Sequence, residues 1–318
     1  MSVTTAQALR SLIAESDRLE LREIFGQRVQ FDQPLSGYTS WKIGGPADAI
    51  TTAHTQEELA HLMRFCLRRR MPWWVIGGGS NVLVGDGGVR GVVLRLAGAF
   101  ASVEVRKEAE TVILEAGGSA DMALVTAKAA SAGAAAIGSL AGIPGTVGGS
   151  LRMNAGTDRE IGEFVRNVWV QSPSRPEPHA TSVRYLYRRS TLERDVVVSR
   201  VTLAFEGSNA RDVRDDMRSR LVRRKATQPI ALPNAGSCFR NPSQAAAARL
   251  IESVGAKGWR EGNAEVSALH ANFINNLGGA TAKDVATLLA RIRRAVAARF
   301  GVELQLEVHL VGVFIDAA

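Results

Sequence analysis

Two glycine-rich turns carry the residues best suited to bind an anion. They are Ile76-Gly77-Gly78-Gly79-Ser80-Asn81 and Ala141-Gly142-Ile143-Pro144-Gly145-Thr146-Val147-Gly148-Gly149, each following a short apolar stretch. Successive glycines lack Cβ and tolerate positive φ, so such a backbone turns tightly and aims its N–H groups at an anion such as a diphosphate. Ser80, Asn81 and Thr146 add side-chain donors that a purely geometric corner does not need. Together the turns imply one large phosphate-bearing cofactor, although tight corners alone would also account for the glycines. Val82 occupies the third-glycine position of G-x-G-x-x-G, and no G-x-x-x-x-G-K-[ST] occurs, so the expected site is neither Rossmann nor P-loop. A third stretch, Asn234-Ala235-Gly236-Ser237-Cys238-Phe239-Arg240-Asn241-Pro242, sets a hydroxyl and a thiol directly after a flexible glycine.

The elements that must position these groups follow from periodicity and punctuation. Residues 6–25 predict a helix with Leu9, Leu12 and Ile13 on one side. Strands at 49–52 and 73–76 flank a helix at 56–69, and the first glycine turn follows the second of them. Further strands are expected at 82–84, 92–96, 102–105, 111–115, 165–171 and 196–205. Ser119 is placed to cap an alanine-rich helix ending near Gly133. A charged helix at 211–225 marks a boundary near Gly207. Thr281 and Asp284 form a capping box ahead of Val285, Leu288, Leu289, Ile292 and Val296, with Gly301 as the stop. A final strand at 303–312 alternates Leu304, Leu306, Val308 and Leu310 against Gln305, Glu307 and His309, which leaves Glu307 on a polar face. That face suits either a solvent edge or a functional carboxyl.

The chain has 318 residues, 46% hydrophobic and 22% charged, enough for two or three globular domains. No apolar run approaches the ~18 residues of a membrane span, and the N-terminus has mixed charge instead of a signal-peptide core, so a cytoplasmic protein is expected. Cys66 and Cys238, the two cysteines, belong to no C-x-x-C pair and read as free thiols. The net charge of +8 invites nucleic acid, but Arg68, Arg69, Arg70, Arg291, Arg293 and Arg294 fall in helix-like stretches, and no aromatic-rich RNA platform occurs. His270 and His309 have no second ligand at metal-binding spacing, so no metal is expected.

The Ser237 stretch is one of several ordered motifs. The others are Tyr38-Thr39-Ser40-Trp41-Lys42-Ile43-Gly44-Gly45-Pro46-Ala47-Asp48, both glycine turns, Tyr187-Arg188-Arg189-Ser190, Lys225 with Gln228-Pro229, and Val266-Ser267-Ala268-Leu269-His270-Ala271-Asn272-Phe273. Over most of its length the chain thereby resembles the UDP-N-acetylenolpyruvoylglucosamine reductase (MurB) family. The resemblance implies an α+β fold: an N-terminal helical segment (1–30), a two-part FAD-binding domain of the PCMH/vanillyl-alcohol-oxidase type (31–207, split near 98), and a C-terminal α/β substrate-binding domain (208–318). It implies non-covalent FAD held by residues 76–81, by Gly142, Ile143, Pro144, Gly145 and Thr146, and by Gly148 and Gly149. It further implies NADPH as hydride donor and a UDP-linked enolpyruvyl amino sugar as substrate in peptidoglycan precursor synthesis. No nucleic acid, membrane or obligate protein partner is implied.

Carried onto matching positions, the resemblance makes Ser237 the proton donor to carbon, Arg188 the partner of the substrate carboxylate, and Glu307 the group that polarises that carboxylate when protonated. A carbanion is basic enough to draw a proton from a positioned hydroxyl when water is excluded. A neutral Glu307 needs a pKa raised by burial or by nearby negative charge. Tyr187, Lys225 and Asn241 take substrate-contacting positions, and Cys238 reads as a small buried hydrophobe, not as a nucleophile. The short connection from Arg188 to the helix at 211 matches the subtype without a tyrosine loop, while Arg152 and Asn263 depart from the common pattern. Two alternatives stay open: another FAD oxidoreductase of this fold acting on a sugar or alcohol, and a catalytically silent nucleotide-binding protein.

Overall fold

The structure is a computed structural model that describes residues 10–315. The first unit holds β1 (Gln30–Pro34), β2 (Pro46–Ala53), β3 (Trp73–Val75), β4 (Val82–Val84) and β5 (Val89–Leu96). Four of these form a sheet in the order β1-β2-β5-β3, with β1 antiparallel to β2 and the other three parallel. The expected strand–helix–strand unit is present, but β5 lies between its two strands. Helices α1 (Glu15–Phe25) and α2 (Gln56–Arg69) cover the sheet, burying Leu21, Phe25, Leu59, Leu62 and Phe65 against Val92 and Leu94. Of the helix expected over residues 6–25, Glu15–Phe25 is helical; ahead of it Ala14 is extended and Leu12 N donates to the buried Asp48 carboxylate at 3.0 Å, while residues 6–9 lie outside the described residues. Leu12 is accordingly exposed, and Leu9 lies outside the described residues.

The second unit is an antiparallel sheet of β6 (Val103–Glu108), β7 (Thr111–Gly117), β8 (Val165–Ser172), β9 (Arg175–Thr181) and β12 (Val197–Glu206), in the order β6-β7-β12-β8-β9. Between β9 and β12, β10 (Tyr185–Leu186) and β11 (Arg189–Ser190) form a hairpin of their own. Helices α3 (Met122–Ser131) and α4 (Val147–Met153) pack on the sheet through Met122, Val125, Val147 and Leu151. The cap of α3 is Asp121, not Ser119: the helix begins at Met122, the Asp121 carboxylate accepts from Ala123 N at 2.7 Å, and Ser119, three residues ahead of the first turn, makes no side-chain hydrogen bond.

The third unit contains α5 (Ala210–Thr227), α6 (Ala247–Ser253), β13 (Arg260–Glu261), β14 (Ala264–Val266), β15 (Ile274–Asn276), α7 (Ala282–Phe300) and β16 (His309–Val311). The capping box of α7 forms as expected, Val285, Leu288, Leu289, Ile292 and Val296 are buried, and Gly301 ends the helix at φ +66°. The final strand is shorter than its alternation suggests. Only β16 pairs, parallel to β4 of the first unit, while Leu306 makes an isolated bridge to Phe239. Leu304 and Val308 are buried but Leu310 is 46% exposed, since the chain has by then left the third core to pair with β4 in a separate two-stranded sheet. We propose boundaries near residues 30, 98 and 207, although α5 rests Val213 on the second core. Among the described residues no helix is long and apolar enough to cross a membrane.

Beyond the pairing of β16 with β4, the side chains of Trp41 and Asp86 tie the third unit to the first. Trp41 is fully buried in the third core, donating from Nε1 to Ile274 O at 2.7 Å and accepting at its carbonyl from Asn276 Nδ2 at 2.8 Å. Asp86 accepts from the first two N–H groups of α7, Ala282 at 2.8 Å and Lys283 at 3.0 Å, so its charge also opposes the positive end of that helix. Asp86→Ala is expected to lower the free energy of unfolding by about 1–2 kcal/mol in urea titrations, the loss of an N-terminal acceptor.

Candidate cofactor and substrate site

The two glycine turns touch. A Cβ on Gly78 would lie 2.6 Å from Gly145 Cα, and Ser80 Oγ donates to Pro144 O at 3.1 Å, so the first turn is laid directly on the second. Gly79 has φ +62°, and a Cβ there would sit 2.1 Å from Tyr38 O. Ile76 is buried beneath the turn with its N–H on Leu94 O. Thr146 caps α4 by accepting from Gly149 N, a long bond at 3.5 Å. Asn81 is committed differently from the cofactor-donor role expected of it: its amide donates to Glu307 O at 3.1 Å and its carbonyl accepts from His309 N at 3.0 Å.

Beside the first turn lies a cavity of about 240 Å³ lined by Gly77, Gly78, Tyr38, Thr39, Ser40, Lys42 and Arg95. A second, about 350 Å³, shares Tyr38 and Arg95 and continues along Gln30, Thr51, Thr52 and His54. Exposed backbone at Gly77 and Gly78, two cations and several hydroxyls suit a diphosphate with a sugar beyond it, so the residues present fit FAD. Ser40, Lys42 and Arg95 were not singled out from the sequence as binding residues. The available signal was the Ser40-Trp41-Lys42 run before Gly44-Gly45, in which Lys42 adopts φ +58°.

The residues expected to do the chemistry converge from three elements. The Ser237 stretch runs antiparallel to residues 305–307: Arg240 N donates to Gln305 O at 2.9 Å and Glu307 N to Cys238 O at 2.8 Å. Asn272, another residue the sequence did not single out, fixes the stretch. Its backbone carbonyl accepts from Cys238 N, and its side chain accepts from Phe239 N and donates to Phe239 O. Arg188 sits at the turn of the β10–β11 hairpin with φ +54° and its side chain mostly buried. Its Nε lies 3.6 Å from Glu307 Oε1, while Nη1 donates to Glu160 Oε1 and Nη2 to Gly156 O, both at 2.9 Å. Burial pushes the Glu307 carboxyl above the usual carboxylate range, against the pull of Arg188 and Arg240.

The remaining candidates are less converged. Tyr187 is half-exposed with the Arg188 guanidinium 4.8 Å from its ring centre. Lys225 is exposed near the end of α5, and Asn241 accepts from Ala247 N at 3.0 Å, which commits its carbonyl oxygen to the start of α6. Cys238 is buried and burial pushes its thiol up to about 12, which suits packing and not nucleophilic attack. Burial lowers the pKa of both His270 and His309, and His309 Nε2 lies 3.0 Å from Met153 Sδ. Among the described residues no group of three or more His, Cys, Asp or Glu could hold a metal. Arg152, unusual in the sequence, donates to the carbonyls of Leu192, Glu193 and Val196 and so clamps the connection between β11 and β12.

Residues 47–169 match the family model described as an FAD binding domain. Fold and site therefore define an FAD-binding oxidoreductase. Residues 228–311 match the model of the UDP-N-acetylenolpyruvoylglucosamine reductase C-terminal domain. The chain is 41% identical to the enzyme of that name from Moorella thermoacetica, over 92% of this chain and 96% of the relative. It is 40% identical to reductase 2 of Symbiobacterium thermophilum, over 96% of each. The crystal structure of the Thermus caldophilus reductase has a TM-score of 0.75 at 33% identity, covering 89% of this chain and 98% of that one. The chain belongs to the UDP-N-acetylenolpyruvoylglucosamine reductase family.

Gly78→Ala is expected to force the turns apart and weaken FAD retention at least about tenfold, or roughly 1.4 kcal/mol. Gly149→Ala, whose Cβ would meet only Thr146 Oγ1 at 3.6 Å, is expected to retain flavin. Flavin absorbance per mole of purified protein distinguishes the two.

Proposed function

We propose that the protein uses NADPH to reduce the enolpyruvyl group of UDP-N-acetylglucosamine enolpyruvate, giving UDP-N-acetylmuramate for peptidoglycan precursor synthesis. Bound FAD supplies the two-electron relay between the two substrates. The observation that carries the reading is the approach of Arg188 to Glu307 at 3.6 Å, on a segment hydrogen-bonded to both the Ser237 stretch and the first glycine turn. Identity near 40% along almost the whole chain supports this substrate over another sugar or alcohol.

Addition of hydride to the alkene leaves negative charge delocalised into the adjacent carboxylate, and the neighbouring carbon must then take a proton. Arg188, held by Glu160 and Gly156, presents a fixed positive charge to that carboxylate. Glu307 in its neutral form donates a hydrogen bond to it, and the burial that raises its pKa favours that form. Ser237, placed by the flexible Gly236 at φ +73°, gives its proton to carbon and is reprotonated from solvent. Lys225 is suited to the substrate diphosphate, with Tyr187 and Asn241 at the polar groups of the sugar nucleotide. The excess positive charge needs no nucleic acid or obligate protein partner, and we assign the enzyme to the cytoplasm, where its nucleotide substrates are made.

Anaerobic NADPH is expected to bleach the yellow protein, and the enolpyruvyl sugar nucleotide to restore its colour; a protein that stays colourless after FAD addition would overturn the reading. Ser237→Ala is expected to leave bleaching within about twofold and to slow recolouring by about 10²-fold or more. Equal losses in both half-reactions would remove the proton-donor role. The recolouring rate should be full while Glu307 is protonated and fall as pH rises through its elevated pKa, a limb that Glu307→Gln should abolish.

A further inference from the structure

Arg188 stands between two carboxyl groups. Glu160 Oε1 accepts from its Nη1 at 2.9 Å, whereas Glu307 Oε1 is 3.6 Å from its Nε. Glu160 is itself fixed: its second oxygen accepts from Asn154 Nδ2, and its backbone N–H donates to Glu163 Oε1 at 2.8 Å. The Asn154 amide also donates to Leu186 O at 3.1 Å and accepts from Gly162 N at 3.0 Å, so it joins the Glu160 turn to the hairpin that carries Arg188. Gly156 completes the seat, since its carbonyl takes Nη2 and a Cβ on it would lie 2.5 Å from Glu160 Cα. A non-glycine residue at φ +54°, as Arg188 is, persists only where its surroundings hold it.

We propose that Glu160 is a positioning residue: it takes up one edge of the Arg188 guanidinium and holds that cation off the Glu307 carboxyl. The inference rests on the roles assigned above to Arg188 and Glu307. Without the Glu160 charge, Glu307 is the one carboxyl left in ion-pair range of Arg188 among the described residues, and an ion pair closing between them strips Glu307 of the proton it must offer the substrate. The charged and titratable groups facing this cluster are Arg240 and the Cys238 thiol from the Ser237 stretch, Glu163 from the Glu160 turn, and Arg188 itself. Burial raises the carboxyls of both Glu160 and Glu307, against the pull of Arg188 on each and of Arg240 on Glu307.

The test compares Glu160→Gln, Glu160→Asp and Glu307→Gln holoenzymes in stopped-flow bleaching by NADPH and recolouring by the enolpyruvyl sugar nucleotide across pH. Glu160→Gln should leave bleaching within about twofold, slow recolouring about tenfold or more, and move the alkaline limb of recolouring about one unit toward lower pH. Glu160→Asp, which keeps the charge, should leave the limb in place. A limb unmoved by Glu160→Gln, or moved equally by both variants, or both half-reactions falling together, overturns the positioning role. If Glu307→Gln still shows the limb, the assignment of Glu307 itself fails and takes the inference with it; a limb lost there but unmoved in Glu160→Gln sinks the Glu160 role alone. Should Glu160→Gln fail to hold flavin, Asn154→Gly, which frees Glu160 while tolerating the φ of +45°, should shift the limb in the same direction by less, and an unmoved limb refutes the inference.

Discussion

One stretch of backbone, residues 305–311, is bonded on two sides. On one side Gln305 and Glu307 pair with Arg240 and Cys238; on the other, Glu307 and His309 pair with Asn81, and β16 continues beside β4. A single peptide segment thus sets the Ser237 stretch, the Glu307 carboxyl and the first glycine turn at fixed offsets from one another. Each of these bonds costs free energy to break without a replacement partner, so together they hold the three groups in one arrangement. Trp41 and Asp86 reinforce the same junction from the first unit.

The second glycine turn is added to this frame by contact. No side chain intervenes where Gly78 meets Gly145, and Ser80 bonds across to Pro144. The cofactor cradle we propose is therefore made of backbone from two separate units, and the close approach of Gly78 to Gly145 leaves no room for a Cβ. Arg188 reaches the site from the second unit on a two-residue turn, so the reacting centre we propose combines Arg188 of the second unit with Ser237 and Glu307 of the third.

Electrostatics and burial act together there. Glu307 and Glu160 both sit where desolvation disfavours charge, and one arginine lies between them. A neutral carboxyl next to a cation is stable only while geometry keeps the pair from closing, and the difference between 2.9 and 3.6 Å is the structural expression of that balance. Cys238, adjacent to the proposed donor, is kept out of the chemistry by the same burial.

Local signals were legible in the sequence: the capping box and apolar stripe of α7, the helix α2, and the two glycine turns, all of which depend on residues within a few positions of each other. The family resemblance, resting on ordered motifs, named the site residues and the cofactor. What the sequence could not express were partners brought in by folding. Asp48 holds Leu12 in the segment ahead of α1 from far along the chain, Asp121 takes the cap of α3 in place of Ser119 because the helix begins only at Met122, and the last strand divides its residues between two units. Residue types and covalent spacing by themselves determined that two tight glycine turns and a hydroxyl after a flexible glycine would exist. Only the tertiary structure decided that Gly78 rests on Gly145, and that Arg188 is seated by Glu160 beside Glu307, because burial and close approach between distant segments are properties of the packed chain and not of its order.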